Sequence, residues 1–140
     1  MIIDNLEITG ALQISLNNEI VHQCDNLVVT AGKNWVADRM NDANTVMTHM
    51  ALGTGTNAAA AGDTTLQTEI DRNALTSTTV STNTIAYACT WAAGDGTGAI
   101  TEAAILDAAS SGDMLARTVF SVVNKGASDS ITITWTITIS

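Results

Sequence analysis

Proline is absent from all 140 residues. Stiff polyproline segments and proline-rich linkers are thereby excluded, and the turns must rely on Gly, Asn and Asp. Basic residues are scarce: five Lys and Arg stand against fourteen Asp and Glu, a net charge of −9. A chain this acidic repels phosphate backbones and anionic lipid surfaces. No cluster of Lys or Arg interrupts the acidity, so neither nucleic acid nor a membrane is an expected partner. Aromatic residues make up 4%, which leaves Ala, Ile, Val and Leu to build the interior. No run approaches the roughly eighteen apolar residues of a bilayer span. The segment Met1-Ile-Ile-Asp-Asn-Leu-Glu7 has no basic region and no long apolar stretch, so neither signal peptide nor anchor is expected. Cysteine is limited to Cys24 and Cys89, far apart in strand-like segments. Two free thiols in a reducing cytoplasm is the simpler reading, and a disulfide is not required.

What is present is 46% hydrophobic residue, enough for one domain with a real core and too much for disorder. The most regular stretch is Ile131-Thr-Ile-Thr-Trp-Thr-Ile-Thr-Ile-Ser140. Ile131, Ile133, Trp135, Ile137 and Ile139 take one face of an extended strand, and the Thr residues with Ser140 take the other. Burying that row contributes about 10 kcal/mol gross, at about 2 kcal/mol per side chain. A contribution as large as a domain's whole net stability predicts an inner strand of a sheet.

Elsewhere the alternation is shorter but repeated. Residues 1–9 read as an extended arm or edge strand, followed by a single domain over 10–140. Leu12, Ile14 and Leu16 alternate with Ala11, Gln13 and Ser15, and Asn17-Asn18 predicts a hairpin turn into Glu19–Cys24. Asp25-Asn26 predicts a second turn before Leu27–Thr30. Residues 31–42 form the best helix candidate, with Trp35, Val36, Arg39 and Met40 on one face and Thr30 as the cap. Strand is expected over Asn44–Leu52, then an irregular stretch over 53–65, then a helical turn over Leu66–Ile70. Further strands are expected over 71–81, 84–91, 100–106 and 114–123. About eight strands with one unrepeated helix predict an all-β fold, a jelly-roll or Greek-key β-sandwich.

Catalytic and metal signatures are thin. His22 and His49 have no Cys, His or carboxylate at metal-ligand spacing. No G-x-S-x-G elbow occurs. The Gly-rich pieces Gly53-Thr-Gly55 and Gly94–Gly98 do not lead into a phosphate-binding helix. Asp63, Asp95 and Asp113 lie in loops that suit calcium, but the EF-hand spacing is missing. No metal, cofactor or enzymatic activity is therefore expected. With three arginines in the chain, the set Glu69, Arg72, Glu102 and Arg117 stands out. It reads as inter-strand or inter-subunit ion pairs in preference to a binding pocket. Trp91 and Trp135 read as core, while Trp35 is the aromatic left for a sugar site.

The segment from Ala51 to Arg72, in which Gly53-Thr-Gly55 leads through Ala, Gly and Asp to Leu66, Glu69 and Arg72, resembles a pattern common in tailed-bacteriophage virion structural proteins. Gly98–Ile105, Met114–Phe120 and Ile131–Ile139 fit the same picture, so the resemblance spans about residues 27–140. One departure is Asn57-Ala58-Ala59, where such loops often carry proline. The resemblance is to capsid decoration (cement) proteins and, as the alternative, to tail-fibre or baseplate modules with glycan-binding capacity. It implies a non-enzymatic homo-oligomer, a trimer or dimer, on the outer capsid surface after synthesis in a bacterial host cytoplasm. The implied partner is the major capsid protein. The expected interface comprises the arm residues Ile2, Ile3 and Leu6 and, in the loop, Thr54, Thr56, Asn57 and Thr64.

Overall fold

The computed structural model describes residue 2 and residues 4–140. In chain order its elements are β1 (Ile8–Leu16), β2 (Glu19–Asp25), β3 (Leu27–Val28), α1 (Thr30–Met40), β4 (His49–Gly53), β5 (Glu69–Ala74), β6 (Ser77–Ser81), β7 (Thr84–Trp91), β8 (Gly98–Leu106), β9 (Met114–Lys125) and β10 (Ile131–Ile139). The strands form two antiparallel five-stranded sheets, ordered β2-β1-β10-β7-β6 and β3-β9-β8-β4-β5. The fold is an all-β sandwich with one short helix.

The alternating Ile/Thr segment becomes β10, the middle strand of the first sheet, with β1 on one side and β7 on the other. Ile131, Ile133 and Trp135 are fully buried and Ile137 nearly so, while the Thr row is half-buried on the outer face; Ile139, expected in the buried row, is instead 37% exposed where the strand runs out past the core. Across the interior they share one core with Met50, Leu52, Ile100 and Ile105 of the second sheet. The buried indole N–H of Trp135 donates to the Asn26 side chain at 2.6 Å, so its burial leaves no orphan donor.

Ten strands are described where the sequence pattern predicts about eight. The Thr-rich segment 71–81 is not one strand, because the chain changes sheets within it. The Leu75 amide donates to Thr48 beside the second sheet, and the next amide, Thr76, donates to Ala88 in the first. The hairpin at Asn17-Asn18 forms with both residues at positive φ, 51° and 68°, as a two-residue turn matched to strand twist requires.

Four local expectations are corrected. Strand begins at His49 and not Asn44, since Asn44 instead bonds Asp113 and its own neighbour Thr45. The helix cap is Val29, not Thr30, with no side-chain cap bond; distant carbonyls serve instead, Leu115 accepting from the Val29 amide and Ala61 from that of Thr30. Residues 66–68 are not helical, because the Gln67 and Thr68 amides donate to a buried carboxylate. The arm is also shorter than expected, ending where β1 starts at Ile8. Among the described residues no helix is long and apolar enough to cross a membrane.

Candidate functional site: a loop pinned over a buried ion pair

The middle of the second sheet is buried on both faces. Its inner face meets the first sheet. On its outer face Ala51, Ala104, Leu106 and Met114 form a smaller apolar cluster with Val29 and Leu66. Leu66 comes from the long irregular stretch between β4 and β5, so that stretch lies flat on the sheet as a third layer. A loop of small residues normally holds such a position poorly. This one is fixed by charge.

Glu102 on β8 and Arg117 on β9 stand on that outer face as diagonal neighbours, Glu102 opposite Val119 and Arg117 opposite Ala104. Both are buried. The guanidinium meets the carboxylate through two N–H groups, Nε at 3.1 Å and Nη2 at 2.8 Å. Its remaining donors reach the loop: Nη1 bonds Asp63 at 2.8 Å and the Ala58 carbonyl at 3.4 Å, and Nη2 bonds the Asn57 carbonyl at 3.0 Å. Glu102 in turn accepts the backbone amides of Gly55, Gln67 and Thr68 at 2.9, 3.0 and 2.7 Å. Thr101 closes the set by donating its hydroxyl to the Gly55 carbonyl at 2.7 Å. A charged pair in a low-dielectric setting is tolerated when every lone pair and proton is used in this way.

Electrostatics follow from that geometry. Burial pushes the Glu102 carboxyl up, but the bonds from Thr68, Arg117, Gln67 and Gly55 outweigh it and hold the group below its ordinary value. Burial likewise disfavours the Arg117 cation, and Glu102 with Asp63 more than restores it. The Asp63 carboxyl is lowered first by the Ala60 amide and then, against some desolvation, by Arg117.

The Gly-Thr-Gly signature has its physical reason here. A Cβ on Gly53 would stand 2.4 Å from Glu102 Oε1, and one on Gly55 2.5 Å from the same atom. Only glycine lets the chain pass directly over the buried carboxylate. Glu69 and Arg72 form a second fork, 3.1 and 2.7 Å. Three residues apart, they belong on opposite faces of a regular strand. The β4–β5 register shifts between Leu52 and Gly53, with Asp71 opposite Leu52 and Glu69 opposite Gly53, and that bulge brings both onto one face. Arg72 then donates to the Ala108 and Ser111 carbonyls, tying β5 to the 107–113 turn.

Of the expected interface residues, Thr56, Asn57 and Thr64 are exposed on the pinned loop, and Thr54 is half-buried with its amide on the Thr68 carbonyl. Ile2 and Leu6 are exposed on the arm, and Ile3 lies outside the described residues. Trp35, the candidate sugar platform, is buried with its N–H on the Thr45 carbonyl at 2.8 Å. His22 and His49 are in different sheets. Cys89 is buried and Cys24 half-buried, both free, and burial pushes the Cys89 thiol up to about 12. Among the described residues no three His, Cys, Asp or Glu side chains gather as metal ligands.

Sequence reasoning missed the roles of Asp63 and Gln67 as loop fasteners. It also missed Lys125, buried and donating to the Ala92 carbonyl at 2.9 Å. A lone charge in an apolar or Thr-rich strand marked Glu102 and Arg117, but no local pattern marks Asp63, Gln67 or Lys125, whose partners lie far away in sequence. Comparison with protein-family models, with curated proteins and with solved structures finds no match for this chain.

Proposed function

We propose that the chain is a tailed-phage capsid decoration protein, a non-enzymatic component that binds the outer surface of the major capsid protein and braces the shell. The observation that carries this reading is the pinned loop. Thr56, Asn57, Ala58, Ala60, Ala61, Gly62 and Thr64 are exposed on a backbone already held by Glu102, Arg117 and Asp63. Such a plate docks with little further loss of conformational freedom, and its small side chains suit close approach to another protein surface. The net charge of −9 keeps it from the packaged nucleic acid. Repetition over many identical sites would turn a modest contact into firm attachment.

Purified protein added to capsids lacking it should restore occupancy and raise their disruption temperature. Replacing exposed Thr56 and Thr64 by Arg should abolish binding while circular dichroism stays unchanged. Protein that remains in the supernatant overturns the proposal. A dozen or so copies per particle, in place of hundreds, would move the assignment to the tail.

A further inference from the structure

The sandwich is open along one side. Val80 on β6 lies opposite Ile85, Ile85 opposite Ile137, and Ile137 belongs to the buried row of β10. Cross-strand partners share a face, so Val80 points to the inner side of its sheet. Yet it is 68% exposed. A core-facing residue that exposed marks core with nothing laid over it. The opening is a cleft of about 530 Å³ between α1 and β6, with Trp35, Met47 and Tyr87 as its buried floor. Met40, 84% exposed, stands with Val46 and Val80 at its rim. Among the described residues Arg39 is the one charged residue lining it; its guanidinium donates to the Asn44 carbonyl and stands 3.7 Å from the exposed Asp42 carboxylate.

The same chain carries a segment of matching chemistry. In the arm before β1, Ile2 is 93% and Leu6 70% exposed, and the charges between and beside them, Asp4 and Glu7, are both negative. Most of the surface of so acidic a molecule repels this arm. An apolar cleft whose single charge is an arginine does not. The arm does not fill the cleft of its own chain, since Ile2 and Leu6 are exposed and neither lines it. Glu7 is bonded in both directions to Ser140, while the cleft is lined by Thr78 and Val80 of β6, Ile85 and Tyr87 of β7 and Ile139 at the end of β10. Leu6 lies near Lys33, close to the start of α1, and Met40 is at its end; about 10 Å of helix axis separates the two.

We propose that the cleft receives the arm of a second copy of this chain, Ile2 and Leu6 entering against Trp35, Met40 and Val80 while an arm carboxylate pairs with Arg39. The contact joins two different surfaces, so it closes as a reciprocal pair or a ring, or runs on as an open filament where the rotation does not close. It is independent of the capsid assignment.

Sedimentation velocity tests it with three proteins. The wild-type chain should associate as concentration rises. A chain lacking residues 2–6, and separately the M40D/V80D double variant, should sediment as single chains. The described residues that these changes touch are exposed, and unchanged circular dichroism would verify the fold. Mixed together, the arm-deleted chain (cleft intact) and the double variant (arm intact) should form a one-to-one complex that neither forms alone. A wild-type chain that stays single at every concentration, an arm-deleted chain that assembles like wild type, or a mixture that does not combine would overturn the proposal.

Discussion

Glu102 and Arg117 are costly residues to bury, and their worth lies in what they hold. The carboxylate serves three loop amides that would otherwise be orphaned beneath the 54–68 layer. Removing Arg117 leaves that carboxylate buried and uncompensated, so Arg117→Ala should destabilise the fold by about 3–5 kcal/mol in urea titration. Replacing both partners, Glu102→Leu with Arg117→Met, should recover part of the loss but not all, because the three amides still lack an acceptor. Complete recovery would show that the pair serves only itself. Acid provides a second check. An unfolded Glu side chain titrates near about 4.3, and folded Glu102 titrates lower. Its contribution is therefore complete above the unfolded value and is lost as pH falls through the folded one. The urea midpoint should decline below about pH 4, and Glu102→Gln should flatten that part of the profile.

At the scale of elements, α1 shows local preference and packing in opposition. Glycine inside a helix ordinarily costs about 1 kcal/mol relative to alanine, so Gly32 looks like a flaw. It is buried, and a Cβ there would stand 2.1 Å from the Leu115 carbonyl oxygen of β9. Gly32→Ala should thus reverse the usual sign and destabilise by about 1–3 kcal/mol. Gly62→Ala, where a Cβ meets nothing within 4 Å, should leave the thermal midpoint nearly unchanged. The helix itself was legible in Trp35, Val36, Arg39 and Met40. Its cap was not, because the accepting carbonyls belong to Leu115 and Ala61, far away in sequence. The face was only half right: Trp35 is buried, whereas Met40 stands in solvent at the rim of the open cleft.

For the whole molecule, the decisive pairing joins β1 to β10, from Ile8 opposite Ile139 to Leu16 opposite Ile131. Nothing local brings those segments together, and folding dominated by such distant contacts is expected on the slower millisecond-to-second scale. Deleting residues 131–140 removes the middle of the first sheet and the Trp135–Asn26 bond. The burial lost is about the size of a domain's net stability. The truncated chain should be unfolded at 25 °C, giving collapsed amide dispersion in NMR spectra.

What the sequence determined by itself is the class of fold and the identity of its central strand. Period-two alternation is a local property, and the Ile/Trp row of β10 can satisfy it only inside a sandwich. The hairpin at Asn17-Asn18 was legible for the same reason, since the conformational tolerance it uses belongs to those two residues. The tertiary structure alone decided where the chain changes sheets, which amides the Glu102 carboxylate serves, and which side of the core stays uncovered. Those outcomes depend on groups that are distant in the chain and meet only after it has folded. Val80 makes the difference plain: its pairing with Ile85 turns it inward, and only the placement of α1 and the second sheet leaves it facing water.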